Sequence, residues 1–211
     1  MYFKDRKDAA FKLIPLLANY KNEKGIVLAV PRGGVPVAYH VARQYGFPLD
    51  LLMTKKIGHP SNPEFAIGAV SLEDFIIDKR QDISPAYINE KIKSIRESLQ
   101  ERYKLFMGHH KPLDLKNKIV IIIDDGVATG NTILSAIPMI RKQGPKKIVV
   151  AVPVSPPETA KKIAKEVDDF ICPYMPKDFF GVGYHYRDFS EVSDEEVILL
   201  LKSINGFQTA A

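Results

Sequence analysis

Two adjacent carboxylates, Asp124 and Asp125, stand directly after the apolar run Ile119–Ile123 and open the segment Asp124-Asp125-Gly126-Val127-Ala128-Thr129-Gly130-Asn131-Thr132. A strand that ends on two acids delivers both to the mouth of a crevice. The small residues behind them let backbone N–H groups converge on an anion, and Thr129 and Thr132 add hydroxyl donors. The helix that begins next points the positive end of its dipole at the same place. Such a loop holds a phosphate with its amides while the carboxylates handle hydroxyls or magnesium. A sugar phosphate bearing a vicinal diol uses both halves. A bare phosphate would not need the acids, and a divalent metal alone would not need the nest of amides. Two rival motifs do not fit: a P-loop needs Lys before its final Ser/Thr, where Asn131 precedes Thr132, and Gly181-Val182-Gly183 lacks the third glycine of a dinucleotide fingerprint.

Two further segments offer charge at the ends of apolar runs. Pro31-Arg32-Gly33-Gly34 follows Ile26–Val30, and its glycines let backbone approach an anion while Arg32 supplies a cation for it. Lys55-Lys56 follows the run Leu49–Thr54. The histidines offer less. His109-His110 is an adjacent pair, while His40, His59 and His185 are scattered, and none has a metal-ligand spacing with an acid or cysteine.

The elements that must carry these groups alternate. Lys4–Asn19 has helical apolar spacing, Ile26–Val30 reads as a strand buried on both faces, and a helix through Val37, Ala38, Val41 and Ala42 ends near Gly46. Leu49–Thr54 is the second strand, joined through a crossover that should be right-handed. Gly58, Pro60, Pro63 and Gly68 make Lys56–Ser71 a loop, and Phe75–Ile77 a short strand. Ser84-Pro85 starts an amphipathic helix that runs to Phe106, about six turns. Ile119–Ile123, Ile148–Val154 and Phe170–Cys172 are further strands. A helix from Ile133 to Lys142, bent at Pro138, and one capped by Ser155 separate them. The result is an α/β, doubly wound, mainly parallel sheet, whose ligands sit beyond the carboxyl ends of the strands.

Composition narrows the classes. The 211 residues suffice for one full α/β domain, with 45% hydrophobic and 26% charged residues. The single cysteine, Cys172, reads as a buried strand residue; it forms no internal disulfide and fits a reducing, cytoplasmic compartment. No apolar run reaches membrane-spanning length, and the first residues do not read as a signal peptide. The net charge of +5 suits an anionic ligand. Its lysines are scattered, however, so a nucleic-acid partner is not expected.

At this point Val120–Thr132, VIIIDDGVATGNT, resembles the phosphoribosyl-pyrophosphate-binding signature of type I phosphoribosyltransferases: four apolar residues, two acids, and a loop ending Thr-Gly-x-Thr. More loosely the resemblance covers most of the chain. It is strongest with a group of uncharacterised bacterial and archaeal phosphoribosyltransferases that carry PRGG, a K-I/V-G-x-P-x-N-P-E loop and a Phe-x-x-V-G-x-x-Y end. The resemblance implies that Asp124 and Asp125 contact the ribose hydroxyls, directly or through hydrated Mg²⁺. Val127, Ala128, Thr129, Gly130, Asn131 and Thr132 would hold the 5-phosphate. Arg32, Gly33 and Gly34 would form the pyrophosphate loop, and Lys55-Lys56 the basic pair leading into a mobile lid, Gly58–Val70. Ser84–Met107 looks like an insertion after that lid. Tyr174–Phe189 resembles the hood that covers the base in purine enzymes, and there Phe179, Phe180, Tyr184 and Tyr186 are candidates either to stack on a planar ring or to pack the hood on the core.

The resemblance thus implies one phosphoribosyltransferase domain over 1–211, with a core at about 25–155, lid and inserted helix at about 57–110, and a hood from about 1–20 and 173–211. Its activity would be Mg²⁺-dependent transfer of the phosphoribosyl group from phosphoribosyl pyrophosphate to a nucleobase, releasing pyrophosphate, in nucleotide metabolism and purine salvage. A second copy of the chain is a candidate partner, as a homodimer. The alternative is a non-catalytic regulator that binds phosphoribosyl pyrophosphate or a nucleotide; Arg32, Lys56 and the long lid favour the enzyme. Hypoxanthine, guanine and xanthine enzymes carry an aspartate before Thr-Gly, where this chain has Ala128. Alanine there resembles adenine- and uracil-type enzymes, whereas the hood aromatics look purine-like. Hypoxanthine and guanine are therefore expected to be poor acceptors, and Glu64, Asp178 or Asp188 could replace the missing carboxylate.

Overall fold

The computed structural model describes residues 2–78 and 82–206. Its elements in chain order are α1 (Arg6–Leu13), β1 (Gly25–Ala29), α2 (Gly34–Tyr45), β2 (Leu49–Leu51), β3 (Thr54–His59), β4 (Asn62–Ser71), β5 (Phe75–Ile77) and α3 (Pro85–Met107). There follow β6 (Ile119–Ile123), α4 (Asn131–Lys142), β7 (Lys147–Ala151), α5 (Pro157–Ala164), β8 (Asp169–Ile171) and α6 (Asp194–Asn205).

The apolar strands β1 and β6, with β7, β2 and β8 beside them, form a parallel sheet in the order β2-β1-β6-β7-β8. Successive side chains on a strand point to opposite faces, so both faces of these strands must be covered. Val27, Ala29, Ile121, Ile123, Val149 and Ala151 pack with α1, α2, α3 and α6, while Ile26, Leu28, Val120, Ile122, Ile148 and Val150 pack with α4 and α5. The sheet is therefore doubly wound. From β1 the chain runs outward to β2 and later returns on the other side through β6. The order reverses between β1 and β6, and the loops leaving their carboxyl ends flank the crevice where ligands of such sheets bind.

Four local expectations are corrected. Leu52 N–H still donates to the Ala29 carbonyl (2.8 Å), but there the chain leaves the parallel sheet; the expected strand Leu49–Thr54 is divided between β2 and the start of β3. The segment expected as a loop is a three-stranded antiparallel sheet, β3-β4-β5, that buries Ile57, Ile67, Ala69 and Val70. Its glycines mark close backbone approach rather than turns: a Cβ on Gly58 would meet the Pro63 carbonyl at 2.5 Å, and the register shifts on both sides of Gly58. The first helix turns 3₁₀ from Ile14 to Tyr20, beginning beside Pro15, which has no N–H to donate. Finally, α5 is capped by Pro156 and not by Ser155, whose hydroxyl donates to the Pro156 carbonyl.

The inserted helix forms as expected, with Ser84 Oγ accepting from Tyr87 N–H, and it buries Ile92, Ile95, Leu99, Tyr103 and Phe106. Over the carboxyl ends of the sheet, the N-terminal segment meets the segment that precedes α6. Phe3 N–H donates to His185 O (2.9 Å), and Arg187 and Asp188 N–H donate back to Phe3 and Lys4. Phe3, Ala9, Val154 and Tyr186 form a small separate core there.

Candidate active site

The last residue of β6 hands the chain to Asp124, whose Oδ1 accepts from Asp125 N–H at 2.8 Å. Asp125 is buried, and its Oδ2 accepts from Arg6 Nε at 2.8 Å. Desolvation, together with the neighbouring Asp125, pushes the Asp124 carboxyl well above the usual carboxylate range. Desolvation raises Asp125 as well, against the opposing pull of Arg6. Two adjacent acids, with one guanidinium paired to Asp125, form a site short of positive charge.

The glycines of Pro31–Gly34 explain how that loop comes so close. A Cβ on Gly33 would collide with Asp125 Oδ2, and one on Gly34 would meet the Ile123 carbonyl at 2.7 Å and Asp124 Cα at 2.9 Å. The space these glycines leave is filled by the acids themselves, so one loop is built around the other. The Pro31–Arg32 peptide bond is cis.

Beyond the acids, Val127 N–H donates to Val154 O (2.9 Å), and Thr159 Oγ1 donates to the Ala128 carbonyl (2.6 Å). Gly126 lies under Val182 of the hood, where a Cβ would approach Val182 Cγ1 to 2.5 Å. The loop is thereby pinned on three sides. Gly130 caps α4 in the left-handed conformation (φ 75°), and Ala128, Thr129, Asn131 and Thr132 remain exposed. The first-turn N–H groups of a helix have no intrahelical acceptors, so this exposed turn can receive a phosphate.

Two hollows adjoin the Pro31–Gly34 loop. One, of about 400 Å³, is lined by Arg6, Arg32, Gly33, Asp125, Phe189 and Glu191. The other, of about 350 Å³, is lined by Pro31, Lys55, Ser98, Arg102 and Thr132 among others. Arg32 is held by Glu191 and, at 3.4 Å, by Asp194. Lys56 does not line either hollow; it pairs with Glu64 across β3 and β4 at 2.8 Å, and Lys55 takes the inward place. Residues at alternate positions of a strand share a face, and Lys55 shares that of buried Ile57.

The hood aromatics divide by burial. Tyr186 is 2% exposed and donates its hydroxyl to the Asp125 carbonyl at 2.5 Å, which excludes it from stacking on a ligand. Phe179 packs on His185 within the hood. Phe180 and Tyr184 are 80% and 69% exposed and lie together, ring centroids 5.9 Å apart. Arg6 and Phe189 were not legible as site residues. The Arg6 guanidinium lies 4.1 Å over the Phe189 ring while bonding an acid 119 positions away, and no local pattern announces such a contact.

A sequence model described as the phosphoribosyl transferase domain matches residues 4–188, and the chain belongs to that family. Proteins from two strains of Mycobacterium tuberculosis, provisionally named phosphoribosyl transferases, are 37% identical over 205 residues. That alignment takes in 94% of this chain but 46% of each relative, so the chain spans about half the length of the curated relatives it matches. The crystal structure of TT1426 from Thermus thermophilus superposes with a TM-score of 0.88 at 36% identity, covering 96% of this chain and 99% of that one.

Proposed function

We propose that the chain transfers the phosphoribosyl group from phosphoribosyl pyrophosphate to a nucleobase, with Mg²⁺, and releases pyrophosphate. The observation that carries this reading is the junction at β1 and β6, where Gly33 and Gly34 seat an arginine loop directly on the Asp124–Asp125 pair. The two acids would take the ribose diol, the exposed turn at 128–132 the 5-phosphate, and Arg32 the diphosphate. Phe180 and Tyr184 are the hood rings free to stack on the base. The domain division above, the cytoplasmic setting, a place in purine salvage and a homodimer belong to the same reading.

Magnesium fits these residues. Among the described residues, no cluster of three or more His, Cys, Asp or Glu could cage a metal. Mg²⁺, however, binds through one or two carboxylates together with substrate oxygens and waters, and two adjacent carboxyls with a single guanidinium on one of them suit that role. Bound there, it would neutralise charge on the leaving diphosphate. The protein's own contribution is orientation, charge matching and exclusion of water as C1 of the ribose acquires oxocarbenium character.

Incubating the protein with labelled phosphoribosyl pyrophosphate, Mg²⁺ and adenine, hypoxanthine, guanine, xanthine, uracil or orotate in turn tests this directly. Base-dependent pyrophosphate release is expected, with adenine or a base outside the hypoxanthine–guanine group preferred because Ala128 offers no carboxylate. Binding without release for every base would instead make the protein a regulator. A kcat/KM of about 10⁴ M⁻¹s⁻¹ or more with hypoxanthine or guanine would overturn the argument from Ala128.

A further inference from the structure

The inserted helix α3 has, so far, only a packing role, yet it sends one cation to the site. Arg102 lines the 350 Å³ hollow with Lys55 on β3, Pro31 of the arginine loop and Thr132 of the phosphate loop. Its Nη2 lies 3.7 Å from Asp194 Oδ1, the same oxygen that Arg32 Nη1 reaches at 3.4 Å. Neither contact is short enough for a strong charge-assisted hydrogen bond, which runs about 2.7–2.9 Å. One carboxylate in the first turn of α6 therefore holds two guanidiniums at long range, and Arg32 has a second, closer partner in Glu191. Half of the Arg102 side chain is solvent-accessible (49%), and its guanidinium lies 5.4 Å from the Phe106 ring centroid, which orients the stem and leaves N–H donors available.

We propose that Arg102 is a diphosphate-binding residue supplied by the inserted helix, acting with Arg32 and Lys55 as a three-cation clamp in which the diphosphate takes over the roles that Asp194, and for Arg32 also Glu191, play in the free protein. The assignment rests on the phosphoribosyl-pyrophosphate reading above and adds to it a residue outside the loops that carry the resemblance. Charge supports it: a diphosphate offers several oxygens to planar, bidentate donors, whereas the Asp194 carboxylate is one acceptor group shared by two arginines. Position supports it too. The hollow opens between the loop proposed for the 5-phosphate and the loop proposed for the diphosphate, so a ligand spanning both passes Arg102.

Calorimetry with Mg²⁺-pyrophosphate and, separately, ribose 5-phosphate tests the proposal on wild type, Arg102→Ala, Arg102→Lys and Arg32→Ala, with a thermal melt of each variant to confirm folding. Arg102→Ala should weaken pyrophosphate binding about tenfold or more and leave ribose 5-phosphate within about twofold, and Arg102→Lys should recover part of the loss. Arg32→Ala losing pyrophosphate affinity while Arg102→Ala does not would overturn the role of Arg102 alone. Equal losses of both ligands in Arg102→Ala would also overturn it, by assigning the residue to structure. Wild type binding neither ligand would overturn the underlying reading together with the clamp.

Discussion

At the scale of residues, the site combines groups that sit together in sequence with groups that do not. Asp124, Asp125 and the turn through Thr132 are contiguous, and a strand, two acids, glycines and a helix start leave few alternatives for their arrangement. Arg6 and Phe189 lie far apart in sequence, and only folding shows that the Arg6 guanidinium stacks over Phe189 while bonding Asp125. Tyr186 and Phe180 are equally aromatic in sequence; one is buried by Phe3 and the other exposed, a difference decided by tertiary packing. The raised Asp124 carboxyl yields a prediction with a definite sign. A carboxyl whose folded-state value exceeds its unfolded value of about 4 costs stability as pH rises through that folded value. Asp124→Asn keeps an oxygen for Asp125 N–H and removes the charge. Its melting temperature should therefore exceed that of wild type near neutral pH, and the gap should shrink as pH falls toward about 4. A variant that melts below wild type throughout that range would show that the negative charge is stabilised by its surroundings.

At the scale of elements, the sheet was legible because unbroken apolar runs, short joints and alternating helices permit little else. The β3–β4 hairpin was not, because its glycines and prolines read as turn signals. In the structure Gly58 and Gly68 are places where backbones touch, at Pro63 and at Ile76. The inserted helix braces this hairpin: Tyr87 donates to the Gly58 carbonyl at 2.9 Å, and Lys142 of α4 holds Asp74 at its base, 2.7 Å away. A second anchor is the buried Asp50 at the centre of β2, which accepts from Leu51 N–H, Leu113 N–H and, at 2.9 Å, the Tyr103 hydroxyl of α3. Cutting this knot should loosen the helix and, with it, Arg102. Asp50→Ala leaves buried donors unpaired and should cost about 1–3 kcal/mol or more in urea unfolding, with Tyr103→Phe costing about 1 kcal/mol. Unchanged midpoints for both would mean that α3 is held by its apolar face alone.

At the scale of the whole molecule, each part of the fold brings something to the carboxyl ends of the central strands β1 and β6. The core supplies the acids and the turn at 128–132 proposed for the 5-phosphate, and the arginine loop is seated on the acids. Arg102 of the inserted helix lines the adjoining hollow, and the N-terminal segment and the hood close over the top through Phe3, Tyr186 and Val182. No helix among the described residues is long and apolar enough to cross a membrane. The net charge of +5 agrees with the proposed ligand, which carries a monophosphate at one end and a diphosphate at the other. That ligand is the centre of the account, and its affinity for the acid pair is the most direct measure of it. Calorimetric titration of Mg²⁺-phosphoribosyl pyrophosphate into wild type and into the Asp124→Asn/Asp125→Asn double variant should show a saturable site in the first. In the second, affinity should fall tenfold or more for each acid removed, since each charge-assisted hydrogen bond contributes about 1.5–3 kcal/mol. A folded double variant that binds as tightly as wild type would contradict the assignment of the ribose to Asp124 and Asp125.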